Sequence, residues 1–527
     1  MRLKQENSMR SIIVTCLMAL VLNLVCIQIT TAQVVWSDAY WKENIKQLPQ
    51  LPSGWEMVPD SIVVSPNRQR MAFKMQRGRG LIVVLDGKPS PVYRKIGKLQ
   101  FSSNSLYLHY IARENGPWYL VRDTHRRFAK EFVGDPILSN QGKRTAVIFK
   151  TPRMLQVRIA GVNGPVFDEV NRDSITFSPN DKQYSYFARR GKYWYVQIDD
   201  QTAGPFEDVT GRPVYSSDSK SHAYMAQTNG QWHVVQDNKP WQVANETAQI
   251  AFHPNSKQLF AWLRVDSPNW QLHINNQPVE KAISSTPVPV IFGTKAYAWA
   301  ARLIVGSQTQ MIREGKTLPI HGYILPDTAQ FDPKSIQLVY VTRTDDGEHV
   351  TIDDVLLEPY QSILAEDIQI SRDARRIAYP AKINNQWHVI EQGEKGPTLE
   401  AIIPGSLVFS PKKQQLIYRA KSGQLDRFYI DQQMVGEFDE MSNPIFDKGH
   451  IAWAARLGNN WHLYIDGIAN PTAFSNLVGP PLVTTKYGRF MTMIQQNHST
   501  VPAYSRLVMD KLTTEEALAN VNPNSIK

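Results

Sequence analysis

The stretch Phe177-Ser178-Pro179-Asn180 is followed by Tyr186-Phe187-Ala188-Arg189 and Trp194, and this succession decides the fold because it recurs along the chain. Its apolar opening residue, which we call the anchor, has a counterpart in each of twelve copies: Val64, Phe101, Leu138, Phe177, Tyr215, Phe252, Phe292, Phe331, Ile370, Phe409, Phe446 and Val483. Consecutive anchors lie 37 to 40 residues apart. A steady interval of this size predicts a repeat architecture.

Each copy is predicted to form a small antiparallel sheet. The Ser-Pro-Asn phrase has turn chemistry, and the run that follows it, at 184–188 in the clearest copy, has the composition of a strand. A strand that contains tryptophan comes next, as at 232–235, and it ends in a tight-turn pair such as Asp237-Asn238. Three or four short strands in about 38 residues make one blade of a β-propeller.

These motifs also resemble those of a known family. The Phe-Ser-Pro-Asn opening at 177–180, the Tyr-Phe-Ala-Arg strand at 186–189 and the Asp-Gly turn at 466–467 are similar to the WD-like repeats of bacterial envelope β-propellers of the TolB type. The resemblance covers about residues 61–512 and implies an all-β fold. The tryptophan strand and the Gly-Pro phrases at 164–168 and 204–207 depart from that family. The resemblance concerns fold, because one propeller architecture supports many activities.

Twelve blades exceed the usual limit of about eight in one ring, so two tandem propellers are expected. An even division, six plus six, places propeller 1 at 61–289 and propeller 2 at 290–512, with a Ser- and Pro-rich junction at 284–289. A division into seven plus five blades is the alternative. Residues 33–60 are then an N-terminal extension, and residues 513–527 are a C-terminal tail.

The N-terminal segment has the plan of a secretory signal. Arg2, Lys4 and Arg10 precede an uncharged, mostly apolar run at 11–29, and the small residue Ala32 follows. This order predicts a signal peptide at 1–32 that is cleaved after Ala32. An uncleaved N-terminal anchor remains the alternative, because the apolar run is close to the length that spans a bilayer.

The positions of the cysteines are also consistent with export from the cytoplasm. Cys16 and Cys26 are the only cysteines, and both lie within 1–32, so the mature chain has neither a disulfide nor a thiolate metal site. We therefore expect a periplasmic or secreted protein of a bacterial envelope. The mature chain carries 55 Lys and Arg against 47 Asp and Glu, and this excess matters for binding mainly where it is concentrated.

A basic residue recurs near the end of the strand that follows the anchor. The series is Arg113, Lys150, Arg189, Arg264, Arg302, Arg343, Lys382, Lys421 and Arg456. Equivalent positions of radial blades lie on a circle, so these cations are candidates for binding an anionic glycan, a lipid headgroup or an acidic protein. The alternative is structural, with each cation paired to an acidic phrase of a neighbouring blade such as Asp168-Glu169.

Two further groups have both a structural and a functional interpretation. The tryptophans at 118, 194, 232, 270, 387 and 461 recur at one blade position, where packing between blades competes with sugar stacking. Histidine follows three of them on different blades, so no metal site is predicted. The acidic stretch Asp345-Asp346-Gly347-Glu348 predicts a hairpin turn rather than a calcium loop, since its spacing matches no EF-hand.

No enzyme signature is present, whether a Gly-x-Ser-x-Gly elbow, a His-Glu-x-x-His motif, a Walker loop or a dinucleotide fingerprint. The expected function is a non-enzymatic binding or assembly scaffold for an envelope protein or an anionic glycan, with no cofactor and no nucleic-acid partner. A membrane contact is expected only through an uncleaved N-terminal segment. The alternative is a propeller hydrolase or lyase acting on carbohydrate, because two carboxylates from distant blades need no local motif.

Expression of the full chain in a bacterium with a periplasm is expected to yield a mature protein that begins at Gln33, because the signal peptidase cleaves after small residues. Intact-mass spectrometry of the periplasmic fraction measures this. The variant Ala32→Trp, which places a bulky residue at the cleavage position, should retain residues 1–32. Recovery of the unaltered chain with residues 1–32 still attached in the membrane fraction would support the anchor instead.

Overall fold

In the computed structural model, the described residues are 54–469, apart from 59, 68–69, 130–131, 133, 242–243, 265–267, 296 and 448, together with 42–43, 473, 476–477, 483–484, 490–495 and 503–508. The predicted signal at 1–32 and the predicted tail at 513–527 lie outside them. The chain forms two compact units, residues 1–43 with 508–527 and residues 44–507. The described part of the first unit includes the strand Lys42–Glu43. No described helix is long and apolar enough to cross a bilayer.

Twelve antiparallel sheets follow one another along the described chain, and we number them from the N-terminus. The strands of the first three sheets are Glu56–Met57, Val63–Val64, Met71–Arg77, Gly80–Leu85 and Lys88–Pro89 (sheet 1); Lys95–Ile96, Gln100–Phe101, Leu108–Arg113, Trp118–Arg122 and His125–Ala129 (sheet 2); and Ile137–Leu138, Thr145–Lys150, Leu155–Ile159 and Val162–Phe167 (sheet 3). Those of the next three are Glu169–Val170, Thr176–Phe177, Tyr184–Arg190, Tyr193–Ile198 and Gln201–Phe206 (sheet 4); Asp208–Tyr215, His222–Thr228, Gln231–Gln236 and Lys239–Pro240 (sheet 5); and Glu246–Phe252, Leu259–Arg264, Trp270–Ile274 and Gln277–Ser284 (sheet 6).

The remaining sheets have the same plan. Their strands are Val290–Phe292, Trp299–Val305, Gln308–Arg313 and Lys316–Thr317 (sheet 7); Tyr323–Ile324, Gln330–Phe331, Leu338–Thr344, Gly347–Ile352 and Val355–Leu356 (sheet 8); and Ser362–Ile363, Gln369–Ile370, Ile377–Ile383, Gln386–Glu391 and Glu394–Lys395 (sheet 9). They continue with Ala401–Ile402, Val408–Phe409, Leu416–Ser422, Leu425–Ile430 and Gln433–Phe438 (sheet 10); Glu440–Met441, Ile445–Asp447, His450–Leu457, Asn460–Ile465 and Ile468–Ala469 (sheet 11); and Asn476–Leu477, Val483–Thr484, Phe490–Gln495 and Ala503–Val508 (sheet 12). All twelve anchors lie in these sheets, so the predicted all-β repeat is confirmed.

Each of sheets 1 to 11 is a meander in which an opening strand, a main strand, a third strand and an outer strand pair in that order. In sheet 4 the opening strand is broken into two pieces, which pair with successive halves of the main strand Tyr184–Arg190. A short 3-10 helix, Arg172–Ser174, lies between the two pieces, and Ala365–Asp367 occupies the equivalent place in sheet 9. Sheets of this size match the blades that the sequence predicts.

The serine after the anchor closes the turn into the main strand. The hydroxyl of buried Ser178 donates to Asn180 Oδ1 at 2.9 Å and accepts the Gln183 N–H at 2.9 Å. The same pair of hydrogen bonds occurs at four further serines: Ser65, Ser102, Ser216 and Ser371. The Ser-x-Asn/Asp phrase recurs because one hydroxyl satisfies a partly buried backbone N–H at the start of the main strand.

A second recurrent contact, present in nine of the described sheets, joins the two ends of the hairpin that the main and third strands form. Asp199 lies in the turn between the third and outer strands with φ of +50°, and its Oδ1 accepts the Tyr184 N–H at 3.0 Å. Nine sheets contain this bond, with Asp, Asn or Gln as acceptor: Asp86, Asp123, Asp199, Asp237, Asn275, Asp353, Gln392, Asp431 and Asp466. Short polar side chains tolerate the left-handed region, so one residue shapes the turn and binds the main strand.

Successive sheets pack face to face, because alternate residues of a strand point to opposite sides. In sheet 3, Ala146 and Ile148 face sheet 4, where they meet Tyr186 and Ala188 in one apolar cluster. Similar clusters join each consecutive pair from sheets 4 and 5 to sheets 10 and 11, and also sheets 1 and 2. The cluster between sheets 6 and 7 spans the predicted boundary at 284–289, and the division into two rings stays a prediction.

The variant Asp199→Ala is expected to lower the free energy of unfolding by about 1–3 kcal/mol, because the Tyr184 N–H loses its acceptor and alanine fits a positive φ poorly. Asp199→Asn should retain most of the stability, since the amide oxygen accepts the same bond. The neighbouring substitution Asp200→Ala is the control. Urea unfolding followed by tryptophan fluorescence measures the three differences, and equal losses for Ala and Asn would contradict the assignment.

Candidate functional site

Five of the recurrent cations pair with a carboxylate of their own sheet rather than with a neighbouring blade. The pairs are Arg189–Glu169 at 2.6 Å, Arg343–Glu348 at 2.6 Å, Lys421–Asp426 at 2.6 Å, Arg456–Glu440 with 3.5 Å between Nε and Oε2, and Arg264–Glu246. Partly exposed pairs of this kind contribute little binding capacity to an external anion, because their charge is already compensated locally.

Two of the four remaining cations of the series lie over the recurrent tryptophan of their own sheet. Arg113 lies directly opposite Trp118 in its sheet, with 5.8 Å from the guanidinium carbon to the ring centre. Lys382 lies opposite Trp387 in the same way, at 6.0 Å. A cation over an indole face is a stabilising contact that a repeat copies with its strands. Lys150, in sheet 3, is exposed.

Arg302 does not belong to the recurrent series. Sheet 7 turns at Gly306, and Ile304 holds the position that Arg189 has in sheet 4. Arg302 lies two residues earlier and donates from Nε to the Ile324 carbonyl at 2.8 Å. The Ala-Arg match at 301–302 misled the alignment because these residues are the third and fourth of a seven-residue main strand, whereas Ala188 and Arg189 are the fifth and sixth of theirs.

The acidic stretch at 345–348 forms the predicted hairpin. Thr344 lies opposite Gly347, and Asp345 and Asp346 form the turn between them. Asp346 Oδ1 lies 3.0 Å from His349 Nε2, and hydrogen bonds from Thr344 and His349 lower the pKa of this exposed carboxyl. In the part of the chain that the structure describes, no three His, Cys, Asp or Glu side chains converge as metal ligands do.

The feature that best fits a binding site lies between sheets 2 and 3. It is a cleft of about 410 Å³, which we call the basic cleft, and its described lining includes five cationic side chains but no Asp or Glu: Arg122, Arg126, Arg127, Lys143 and Arg158. His109 and His125 also line it, and Leu120, Phe128, Phe132 and Val147 supply apolar surface. A concave site that mixes apolar walls with convergent charge is typical of ligand binding.

One wall of the basic cleft is the face that sheet 2 turns toward sheet 3. His109, Arg122 and His125 are cross-strand neighbours in one row, and Leu120 and Arg127 lie side by side in the next row. Residues opposite one another in antiparallel strands share a face. The strand pattern therefore concentrates two imidazoles and two guanidinium groups on a single side of the sheet.

The opposite wall is formed by sheet 3, which has smaller side chains than most other sheets at two equivalent positions. The third residue of the main strand is aromatic in most sheets, for example Tyr110, Tyr186 and Tyr224, but in sheet 3 it is Val147. The turn that carries an Asp, Asn or Gln acceptor in nine sheets has Ala160 in sheet 3, also at positive φ. Two smaller side chains at these positions leave the volume that a tyrosine and an aspartate fill elsewhere.

An arginine at the position of Arg122 also occurs in sheet 7, where a carboxylate of the next sheet compensates its charge. Arg313 occupies the position of Arg122, opposite the second residue of the main strand, and it pairs with Asp353 in the turn of sheet 8. The residue of sheet 3 at the position of Asp353 is Ala160, which carries no charge. Arg122 therefore lacks the counter-ion that the same arrangement supplies between sheets 7 and 8.

The other cations of the basic cleft are also largely uncompensated. Among the described residues, neither Arg127 nor Lys143 forms an ion pair with a carboxylate, and the Arg127 guanidinium lies beside the turn at Gly161. Arg158 donates to the neutral Asn163 Oδ1 at 2.6 Å. Arg126 is the exception, since it pairs with Glu114.

His109 is the buried polar group of the cleft. It is 1% exposed, and neither ring nitrogen has a hydrogen-bond partner of ordinary geometry among the described residues. Burial and, to a smaller extent, the charge of Arg122 lower its pKa to about 4, although Asp123 and the adjacent Gly142 backbone partly offset these two effects. At neutral pH the ring is therefore neutral, with one donor and one acceptor directed at the cleft surroundings.

The net charge of the protein is concentrated in the same sheets. Residues 54–167, which span sheets 1 to 3, contain 19 Lys and Arg against 7 Asp and Glu, whereas the rest of the chain contains 39 against 41. The entire excess of 10 positive charges is thus carried by these three sheets. A localised excess raises the concentration of anions at that surface.

The sequence analysis selected residues that are the same in many copies of the repeat. It therefore missed the basic cleft, where sheets 2 and 3 differ from the other copies. His109 replaces a residue that is alanine in six other sheets: Ala72, Ala146, Ala223, Ala300, Ala378 and Ala452. Aligning the copies on their anchors exposes this departure, and the localised charge is a second signal in the sequence. Neither signal shows by itself that the departures face one another.

No protein-family model matches the chain, and no curated protein matches it. A eukaryotic initiation factor is among the similar solved structures, with 12% identity and a TM-score of 0.33 over 72% of this chain and 96% of that one. TolB from Acinetobacter baumannii has 14% identity and a TM-score of 0.20 over 58% and 81%. The hydrazine synthase of Kuenenia stuttgartiensis has 14% and 0.20 over 63% and 95%. Similarity this low identifies neither a family nor a function.

The pKa of His109 predicts a specific pH dependence. Between pH 6.5 and 4 the unfolded chain binds a proton at this residue that the folded chain does not, so the free energy of unfolding should fall by up to about 3 kcal/mol as the pH decreases through this window. The variant His109→Gln lacks this contribution. Asp367, whose pKa burial raises to about 6, acts in the opposite direction in both proteins and cancels.

Urea unfolding of both proteins at pH 4, 5, 6 and 7 gives the difference. Curves that run parallel over the whole range would contradict a buried, neutral His109.

Proposed function

We propose that this chain is an exported, non-enzymatic binding protein whose sheets close into two tandem propellers and whose partner is anionic. The observation that carries the proposal is the basic cleft, in which Arg122, Arg127 and Lys143 converge without a described carboxylate to compensate them. The concentration of positive charge in sheets 1 to 3 supports it, because it extends the attraction beyond the cleft itself.

The carboxylates of the structure favour binding over hydrolysis. Acid–base hydrolysis of a glycoside needs two carboxyl groups that face the substrate. The buried acidic residues among those described instead accept hydrogen bonds from backbone, hydroxyl or guanidinium groups: Asp181, Asp332, Glu348, Asp367 and Asp426. Their lone pairs are engaged in holding loops and strands together, so the binding function has the stronger support.

The cellular location rests on the sequence. A basic, apolar and small-residue succession at 1–32 and a mature chain without cysteine support export into a bacterial envelope. Anionic glycans and acidic proteins are the partners that match both this location and the charge of sheets 1 to 3.

The variant Ala160→Asp tests the proposal without risking the fold. Aspartate at this turn supplies the counter-ion that Asp353 supplies to Arg313, so binding of a sulfated polysaccharide to the mature chain should weaken by at least about tenfold. The same change should raise the thermal midpoint, because aspartate accepts the Thr145 N–H and tolerates the positive φ. Biolayer interferometry at low and high salt measures the affinity.

Ala160→Asn is the matched control, since asparagine provides the turn bond and occupies the same volume without the charge, so it should weaken binding much less than aspartate does. The double variant Arg189→Gln with Arg264→Gln tests the recurrent cations, and a small effect is expected because both are already paired. Unchanged affinity in Ala160→Asp, or an equal loss in the Asn control, would overturn the assignment of binding to the uncompensated cations of the cleft.

A further inference from the structure

We propose that the basic cleft binds a single sugar unit that carries a phosphate group. This inference rests on the proposed function and deepens it, because it names the chemical class of the ligand. Four features of the cleft lead to it: its size, its cations, the neutral buried His109 and its aromatic wall.

The size of the basic cleft limits the ligand to a small unit. Its volume of about 410 Å³ lies at the lower end of the range of about 300–1,000 Å³ that is typical of small-molecule sites. The cleft therefore accommodates one monosaccharide with its substituent. A longer chain would have to continue outside it, along the exposed outer strands of sheets 2 and 3.

The cations favour phosphate over a carboxylate. Arg122 and Arg127 approach from sheet 2, whereas Lys143 and Arg158 approach from sheet 3, so the positive groups surround the space from two walls. A planar carboxylate presents two oxygens and one charge, which one bidentate arginine satisfies. A phosphate monoester presents three oxygens and close to two charges, so it uses donors from several directions.

His109 adds a requirement for a hydroxyl group. Its ring is neutral at pH 7 and both nitrogens lack partners among the described residues, so it offers one donor and one acceptor. A hydroxyl group is both a donor and an acceptor and satisfies such a ring, whereas a fully ionised anion can only accept. A ligand that brings a hydroxyl next to its phosphate matches this combination, and sugars do so.

The aromatic wall suits the remaining surface of a sugar. Phe132 is half-buried and packs edge-on against Trp118 at 6.3 Å, and Phe128 is 65% exposed. Sugar rings carry an apolar C–H face that packs on aromatic side chains while their hydroxyls point to polar groups. An inorganic phosphate ion would leave this apolar surface unused.

The experiment measures four probes on the mature chain by isothermal titration calorimetry: glucose 6-phosphate, inorganic phosphate, glucuronate and glucose. We expect glucose 6-phosphate to bind at least about tenfold more tightly than each of the others. Phosphomannan, in which the same unit belongs to a polymer, should compete with it, and its relative affinity distinguishes a free sugar phosphate from a glycan unit as the source.

Two variants connect the binding to the cleft. Val147→Tyr restores the aromatic residue of the neighbouring sheets, fills the space and leaves the charge unchanged, so it should abolish glucose 6-phosphate binding. His109→Ala introduces the residue of six other sheets, so it should reduce the preference for glucose 6-phosphate over phosphate. Circular dichroism and the thermal midpoint verify that both variants are folded.

The outcomes separate this inference from the proposed function. Phosphate or glucuronate binding as tight as glucose 6-phosphate, or full binding in Val147→Tyr, overturns the sugar-phosphate assignment. If no small probe binds while the sulfated polysaccharide still responds to Ala160→Asp, the inference fails and the proposed function stands. If the polysaccharide also fails to bind, both are wrong.

Discussion

A sheet of four short strands cannot bury both of its faces by itself, and the whole structure depends on the way each sheet covers its neighbours. Alternation along the main strand assigns one set of residues to the preceding sheet and the other set to the following sheet. Ala146 and Tyr186 meet in this way between sheets 3 and 4, as do Leu338 and Ala300 between sheets 7 and 8. Side-chain volume at each position is therefore set by what the facing sheet presents.

The basic cleft lies between sheets 2 and 3, where the side-chain volumes of the two facing sheets do not match. Val147 and Ala160 are too small to cover the surface that sheet 2 presents, and that surface carries His109 and Arg122 instead of small apolar groups. Sheet 3 still packs normally against sheet 4 through its other face. The interface between sheets 2 and 3 can thus leave space for a ligand while the sheets before and after it remain packed.

The elements that recur in many copies of the repeat could be predicted from the sequence, whereas the features of single copies could not. The anchors, the serine turns and the tryptophan strands were found because each has many counterparts, and the structure gives each a contact that justifies its recurrence. Arg302 was misplaced because the Ala-Arg pair occurs two residues earlier in the main strand of sheet 7 than in that of sheet 4. The cleft was missed because His109, Val147 and Ala160 are exceptions, and only the facing of sheets 2 and 3 shows that three exceptions lie together.

The unequal division of charge has a consequence for encounters in solution. Sheets 1 to 3 carry 12 more basic than acidic residues, and the remainder of the chain is slightly acidic, so positive charge is concentrated on these three sheets. In the field of a negatively charged surface, this uneven distribution of charge produces a torque before any contact is made, and the torque turns sheets 1 to 3 toward the surface. The fraction of collisions that begin in a productive orientation then rises, and this gain disappears as ions shorten the Debye length.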